Sequence, residues 1–229
     1  MKKLESSLTN MVLVLTLVAV IMGGVLAYVN HLTEGPIEQV NKQKTDDGIK
    51  AVMACDDVTV AQTDTFKVKD EKGKDLEYIV YQVNDAAGKE LGAAVVSTSL
   101  GFGGDLKVMV GFDNEGNILG YTLLAHTETP GLGAKADKWF QADGKGSIIG
   151  KNPGEKSKGL GVTKDKDAEQ LQVEAITAST ITSRAFLKAI NNAYGIYKDN
   201  CKAAPETDAA TGATKKETND DEEKKEDNV

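Results

Sequence analysis

The chain has 229 residues, of which 40% are hydrophobic and 27% are charged, and its formal net charge at pH 7 is −8. A surface that follows nucleic-acid phosphates needs clustered lysine and arginine, so this acidic balance argues against nucleic acid as a partner. Beyond an apolar N-terminal run, the chain is long enough for one domain with its own core.

The apolar run extends from Met11 to Val29 and contains no charged residue. As a helix it would be about 28 Å long, close to the thickness of the hydrocarbon layer of a bilayer. The alternative is a cleaved signal peptide, whose apolar core is about 7–15 residues long and ends at a pair of small residues. The length of the run and the poor cleavage sequence at 27–29 favour a membrane anchor.

The charges beside this run predict its orientation. Lys2 and Lys3 precede it, whereas residues 30–39 contain no lysine or arginine. The positive-inside bias therefore predicts a single-pass protein of the inner (cytoplasmic) membrane with its C-terminal domain on the extracytoplasmic side. Gly23 and Gly24 within the run are compatible with a helix-packing face or with simple tolerance of glycine.

The segment after the anchor predicts a helix and then a sheet. Pro36 predicts the start of a helix, loosely capped by Thr33 or Gly35, which serves partly as a stalk above the membrane. After Asp57, β-branched and aromatic runs separated by turn residues predict strands over 65–69, 76–83, 92–97, 106–112 and 118–125. Because the connections are short turns, we expect these strands to form an antiparallel sheet.

The C-terminal third predicts a second helix. Its apolar residues recur at helical spacing and form one face: Phe186, Ala189, Ile190, Ala193 and Tyr197. Thr182 or Ser183 is the expected N-cap. The fold class is therefore α+β: one N-terminal transmembrane helix, then an antiparallel sheet domain flanked by helices, with a loop-rich segment over 126–163.

These elements divide the chain into five segments. They are a cytoplasmic N-terminus (1–10), the transmembrane helix (11–29), a stalk or helix (30–56), the extracytoplasmic domain (57–200) and an acidic tail (201–229). The tail holds no large apolar residue and is predicted to be disordered, because it cannot bury enough surface to offset its ordering entropy.

The two cysteines leave one question open and exclude two cofactors. Cys55 and Cys201 could pair in an oxidising compartment or remain free thiols. Without a CxxC or CxxCH motif, neither an iron–sulfur cluster nor a c-type haem is expected. The run Gly101-Phe-Gly-Gly104 lacks the glycine spacing and the following helix of a dinucleotide-binding loop.

A first candidate motif is His126-Thr-Glu-Thr-Pro-Gly-Leu-Gly133, directly after a predicted strand. Its proline and glycines predict a tight, shaped loop, and an ordinary Thr-Pro-Gly turn is the plain alternative. His126 and Glu128 resemble metal ligands, but the chain has only two histidines and no third ligand nearby, so no metal site is predicted.

A second candidate motif is Glu174-Ala-Ile-Thr-Ala-Ser-Thr-Ile-Thr-Ser183, which leads into the predicted C-terminal helix. It holds five hydroxyl residues: Thr177, Ser179, Thr180, Thr182 and Ser183. A helix N-terminus offers unpaired N–H groups and a positive dipole end, so a phosphate bound there would be stabilised. A hydroxyl-rich cap without a ligand accounts for the same residues equally well.

Together the two motifs resemble the FMN-binding domain shared by the RnfG component of the Rnf electron-transport complex and its counterpart in the sodium-pumping NADH:quinone reductase. The family loop, His-x-Glu-Thr-Pro-Gly-Leu-Gly, matches 126–133, and the attachment motif, Asp-x-x-Ser-Gly-Ala-Thr-x-Thr-Ser, aligns with 174–183 without gaps. The single N-terminal span and the stretch 103–111 match as well. Four positions depart from the motif: Glu174, Thr177, Ala178 in place of glycine, and Ser179.

The resemblance implies covalent FMN, joined by a phosphoester to Thr180 and attached by a separate flavin transferase, with Thr182 as the fallback acceptor. It implies a cofactor-binding set without catalytic or metal-binding residues: Thr180, Thr177, Ser179, Thr182, Glu128, Thr129, Gly131, Leu132 and Gly133. Of the departures, Ala178 matters most, because glycine there would permit a backbone angle that alanine resists.

The function implied is that of an electron-carrier subunit rather than of an enzyme by itself. It would relay electrons within an Rnf-type ferredoxin:NAD+ oxidoreductase complex coupled to ion transport, with integral-membrane and iron–sulfur subunits as partners. The alternatives are the corresponding flavin-bearing component of the sodium-translocating quinone reductase, a stand-alone flavinylated carrier, or a membrane-tethered binding or scaffold domain without flavin.

Overall fold

A computed structural model describes residues 8–69, 73 and 75–201. The predictions for the first seven residues, for most of the turn at 70–74 and for the tail beyond 201 lie outside these residues. The elements in chain order are α1 (Leu8–Met53), β1 (Val58–Lys69), β2 (Asp75–Asp85), β3 (Glu90–Leu100), β4 (Asp105–Asp113), β5 (Ile118–Ala125), α2 (Ala136–Trp139), β6 (Leu160–Val162), β7 (Leu171–Val173) and α3 (Thr180–Asn200).

Helix α1 is one continuous helix of 46 residues, with Pro36 inside it. The prediction that a separate helix begins at Pro36 is wrong. Proline lacks an N–H group, so one intrahelical bond is lost there, but the turns on either side retain theirs. Thr33, one of the suggested N-caps, instead donates its hydroxyl to the carbonyl of Val29 one turn earlier, at 2.9 Å.

The two ends of α1 have different surroundings. Large apolar side chains of the N-terminal part are exposed, with Leu13 at 61% and Leu26 at 68%, whereas Ile49, Val52 and Met53 are buried. In the described part of the chain, α1 is the one helix that is long and apolar enough to cross a membrane. Lipid would cover this otherwise exposed apolar surface.

The five long strands form one antiparallel sheet in the order β1-β2-β3-β4-β5, so each strand pairs with its neighbour in the sequence. Alternate residues of β3 and β4 face two different cores. Val95, Val108 and Val110 pack in the core beneath α3, and Val96 and Met109 pack in the core beneath the end of α1. The sheet therefore lies between two helices, and the predicted α+β class is confirmed.

A pair of glycines allows α1 to lie directly on the sheet. Gly111 of β4 and Gly120 of β5 are cross-strand partners. A Cβ on Gly111 would clash with the carbonyl oxygen of Val52, and a Cβ on Gly120 would lie 2.8 Å from the same atom. Only glycine permits such a close backbone approach, so this pair allows the last turn of α1 to pack directly on β4 and β5.

Helix α3 covers the other face of the sheet with the face predicted from its sequence, since Phe186, Ala189, Ile190, Ala193 and Tyr197 are all buried. Aromatic rings fill the contact, with Tyr197 stacked on Phe112 and Phe186 stacked on Phe140. The loop-rich segment also contributes β6, which pairs in parallel with β7. The sequence did not predict these two short strands.

Candidate functional site

Three segments that are distant in the sequence meet at one end of the sheet. They are the loop 101–104 between β3 and β4, the loop 126–133 after β5, and residues 177–183 at the start of α3. They enclose a cleft of about 400 Å³, large enough for a cofactor. The residues that line it are Phe102, Glu128, Thr129, Leu132, Gly133, Ala178, Ser179, Thr180, Ile181 and Thr182.

Glu128 holds the three segments together. Its side chain is only 6% exposed, and Oε1 accepts hydrogen bonds from the backbone N–H groups of Phe102 at 2.7 Å and Gly103 at 3.2 Å. Its other oxygen, Oε2, accepts a hydrogen bond from the hydroxyl of Thr182 at 2.8 Å. One buried carboxylate thus joins both loops to the start of α3, and its desolvation is compensated by three donors.

The last glycine of the loop motif is required by this arrangement. A Cβ on Gly133 would clash with Oε2 of Glu128 and would lie 2.8 Å from the hydroxyl oxygen of Thr182. The loop can therefore close on the carboxylate only because position 133 has no side chain. Close packing around the Glu128 side chain therefore explains why position 133 is glycine.

The start of α3 differs from the prediction. The helix begins at Thr180, so the expected N-cap at Thr182 or Ser183 is wrong. The hydroxyl of Ser183 accepts a hydrogen bond from the N–H of Ile176 and donates one to the carbonyl of Ser179, both at 2.9 Å. Ser183 and Thr182 are buried inside the first turns, where tertiary contacts use their hydroxyl groups.

The two candidate acceptor threonines have different environments. Thr182 is 1% exposed and its hydroxyl is bonded to Glu128. Thr180 is only partly buried, and it is the first residue of α3, where backbone N–H groups lack helical partners. The ammonium group of Lys164 lies 3.4 Å from its hydroxyl oxygen. A phosphate on Thr180 would meet donors and positive charge, whereas one on Thr182 would displace Glu128.

Ala178 stands where the resemblance described above implies a glycine. Its φ angle is +62°, in the left-handed region that alanine resists. The chain therefore retains the turn before α3 at an energetic cost. Of the other predicted residues, Thr177 and Gly131 do not line the cleft, and Gly131 faces a neighbouring shallow depression with Pro130.

Sequence reasoning missed three residues at the cleft: Phe102, Ile181 and Lys164. Phe102 is 70% exposed and Ile181 is 55% exposed, and with Leu132, at 42%, they place apolar side chains around the opening. Of these three residues, only Phe102 could have been suspected from the sequence, because it is a large apolar residue within a glycine-rich loop. The cleft thus combines an apolar opening with polar groups at the start of α3, where Lys164 lies beside Thr180 and the carboxylate of Glu128 is already bonded by three donors.

The cleft, its loops and most of α3 fall within residues 101–195, which match the FMN-binding domain family. The chain is 31% identical over 196 residues to the component designated G of the Na+-translocating ferredoxin:NAD+ oxidoreductase complex of Acetobacterium woodii, covering 83% of this chain and 91% of that protein. The chain belongs to the RnfG family of ion-translocating oxidoreductase complexes. A second member, from Shewanella baltica, is 32% identical over 190 residues, which cover 81% of this chain and 87% of the relative.

The fold is shared with a solved structure. The component designated C of the Na+-translocating NADH-quinone reductase from Parabacteroides distasonis superposes with a TM-score of 0.50 at 21% identity, covering 69% of this chain and 90% of that chain. At this identity the similarity concerns the fold alone. The family match at 101–195 and the similarity to the two RnfG relatives confirm the predicted resemblance, and the chain contains an FMN-binding domain.

Proposed function

We propose that the chain is a membrane-anchored flavoprotein subunit that carries FMN in a phosphoester bond to Thr180. The observation that carries this proposal is the position of Thr180, a partly exposed residue that lines the cleft and is the first residue of α3. The fallback, Thr182, is supported less well because its hydroxyl is buried and engaged by Glu128.

The residues of the cleft fit the chemistry of FMN. The phosphate would lie at the N-terminus of α3, where unpaired N–H groups and the helix dipole favour an anion. Phe102, Leu132 and Ile181 offer exposed apolar surface to the flat ring. When bound, FMN would accept and donate electrons singly or in pairs, and the protein would hold and orient it.

The attachment itself requires another protein. Forming the bond between the Thr180 oxygen and phosphorus needs an activated flavin nucleotide, such as a flavin pyrophosphate, whose phosphorus–oxygen bond to the leaving nucleotide breaks. The hydroxyl proton is released, and no electrons are exchanged. A separate flavin transferase would supply the activated nucleotide and the base, as the family resemblance implies.

The direction of α1 supports a relay towards membrane-embedded partners. A Cβ on Gly48 would contact Thr122 and Leu124, whereas Val52 lies against Gly111 and Gly120. Helix α1 therefore runs antiparallel to β5, and its apolar part projects past the end of β5 where the loop 126–133 begins. The cleft would then lie at the end of the domain nearer the membrane, with the helix between Val29 and Thr45 about 24 Å long.

From its family we further propose that the partners are the integral-membrane and iron–sulfur subunits of an Rnf-type complex, which passes electrons between ferredoxin and NAD and couples them to ion transport. The domain would lie on the extracytoplasmic side. Purification of the tagged full chain from native membranes should recover these subunits. Recovery of the chain alone, or with quinone-reductase subunits, would contradict the assignment.

The covalent bond is tested by expressing the full chain in cells that supply a flavin transferase. After denaturation, in-gel fluorescence and intact mass should detect flavin on the native chain and on Thr177→Val, a matched control whose threonine does not line the cleft. Thr180→Val should lack it. Absence of flavin from the native chain would favour the scaffold alternative, and flavin on Thr180→Val would move the acceptor to Thr182.

A further inference from the structure

The turn after β6 places a lysine beside the proposed acceptor. Residues 163–165 form a short 3-10 helix, and the ammonium nitrogen of Lys164 lies 3.4 Å from the hydroxyl oxygen of Thr180, to which it is oriented as a donor. This distance is long for a hydrogen bond, so the contact with the bare hydroxyl is weak. A phosphate bonded to that oxygen would bring a negative charge close to the ammonium.

A neighbouring ion pair holds this turn against α3. The carboxylate of Asp165 accepts two hydrogen bonds from the guanidinium of Arg184, one of them from Nε at 3.1 Å. Such bidentate pairs restrict geometry more than a single contact does. Arg184 lies one helical turn after Thr180 on α3, so the ion pair at Asp165 places the adjacent Lys164 over the start of the same helix.

The charges around the turn leave Lys164 available for an anion. Lys158, the other lysine bonded nearby, contacts Asp167 at 3.0 Å and Glu169 at 2.8 Å. In the described part of the chain, Lys164 forms no ion pair, and Asp165 beside it is engaged by Arg184. An exposed lysine that faces a hydroxyl rather than a carboxylate is an uncompensated positive charge at this position.

We propose that Lys164 is a positioning residue of the flavin attachment site, which neutralises the phosphate on Thr180 during and after formation of the phosphoester. This inference rests on the proposed function. When the Thr180 oxygen bonds to phosphorus and the bond to the leaving nucleotide breaks, charge accumulates on the phosphoryl oxygens next to the ammonium. The product phosphodiester retains one negative charge, which Lys164 and the N-terminus of α3 share.

The test measures the rate of covalent attachment on the purified full chain in detergent, with purified flavin transferase and FAD as the donor. The variants are Lys164→Gln, Lys164→Arg and a matched control, Lys166→Gln, in which a lysine two residues away is neutralised. Loss of one charge-assisted contact should lower the rate for Lys164→Gln about tenfold. Lys164→Arg should recover most of the rate, and Lys166→Gln should retain it.

Two further readouts separate charge neutralisation from a structural role. The rate on the native chain should fall with added salt more steeply than the rate on Lys164→Gln, because screening acts on the charge that the variant lacks. The unfolding midpoints of the flavin-free chains should agree. Equal loading of Lys164→Gln, Lys166→Gln and the native chain would overturn the role of Lys164 alone. A native chain that acquires no flavin would overturn the proposed function and this inference with it.

Discussion

The hydroxyl of Thr182 donates a 2.8 Å hydrogen bond to Oε2 of Glu128, and both side chains are buried although 54 residues separate them in the sequence. The contact joins the loop after β5 to the first turn of α3. Because the other oxygen of Glu128 binds the loop at 102–103, the geometry of the cleft depends on this one carboxylate. Loss of the Glu128 carboxylate should therefore lower the stability of the fold and also weaken cofactor binding.

Thr182→Val should destabilise the fold while retaining flavin on Thr180. The substitution removes one of three donors and leaves a buried carboxylate oxygen unsatisfied, which costs about 1–3 kcal/mol. Chemical unfolding of the full chain in detergent measures the change. Thr182→Ser keeps the hydroxyl and is the control. An unfolding free energy equal to that of the native chain would show that the Glu128 contact contributes nothing.

Ala178→Gly should stabilise the protein. Alanine at φ +62° is disfavoured by about 1 kcal/mol relative to glycine, so the substitution relieves strain without removing a contact. Gly131→Ala is the opposite experiment, because Gly131 has φ +76° and open space around it. Thermal unfolding should give shifts of opposite sign for the two variants. A lower melting temperature for Ala178→Gly would show that the backbone at Ala178 does not destabilise the native protein.

Gly111→Ala should weaken the packing of α1 on the sheet. The new Cβ would clash with the carbonyl oxygen of Val52, and such overpacking typically costs about 1–3 kcal/mol. Gly195→Ala is the matched control, since nothing lies near its Cβ position and alanine favours a helix. Limited proteolysis near Ala54 should be faster in Gly111→Ala only. Equal cleavage rates would argue against the close approach.

The thiol of Cys201 should react slowly at neutral pH. Burial, reinforced by the nearby carboxylates of Glu90 and Asp64, raises its pKa to about 11. Only the thiolate is nucleophilic, so alkylation of Cys201 should accelerate about tenfold per pH unit from pH 8 towards that pKa. The rate is measured on a Cys55→Ser background. A plateau below pH 9 would contradict the raised pKa.

The same labelling addresses the pairing of the two cysteines that the sequence left open. The structure has Cys55 and Cys201 as free thiols. Both should therefore be alkylated after denaturation without a reducing agent. Labelling that requires prior reduction would indicate a disulfide.

Several features were predictable because they depend on local patterns. The apolar spacing from Phe186 to Tyr197 identifies the buried face of α3, and the alternation along β4 identifies the set of residues from Leu106 to Phe112 that packs beneath it. The alternation does not show that Met109 and Gly111 are buried as well, because their face of the sheet is covered by α1. The loop ending in Gly133 was recognisable as a shaped loop from its glycines and proline. In contrast, Pro36 was misleading, because a helix start signal has the same residues as a proline tolerated inside a long helix.

The sequence by itself determined the α+β class, the apolar anchor, the buried face of α3 and the two motifs of the site. That the second face of the sheet is also buried, by the end of α1, was decided by the tertiary structure. Only the tertiary structure decided that Thr182 is engaged by Glu128 whereas Thr180 remains partly exposed, and that Lys164 lies beside Thr180. Local patterns report which face of an element avoids water. Contacts between residues far apart depend instead on strand register and on how helices pack across the sheet, for which no short segment carries a signal.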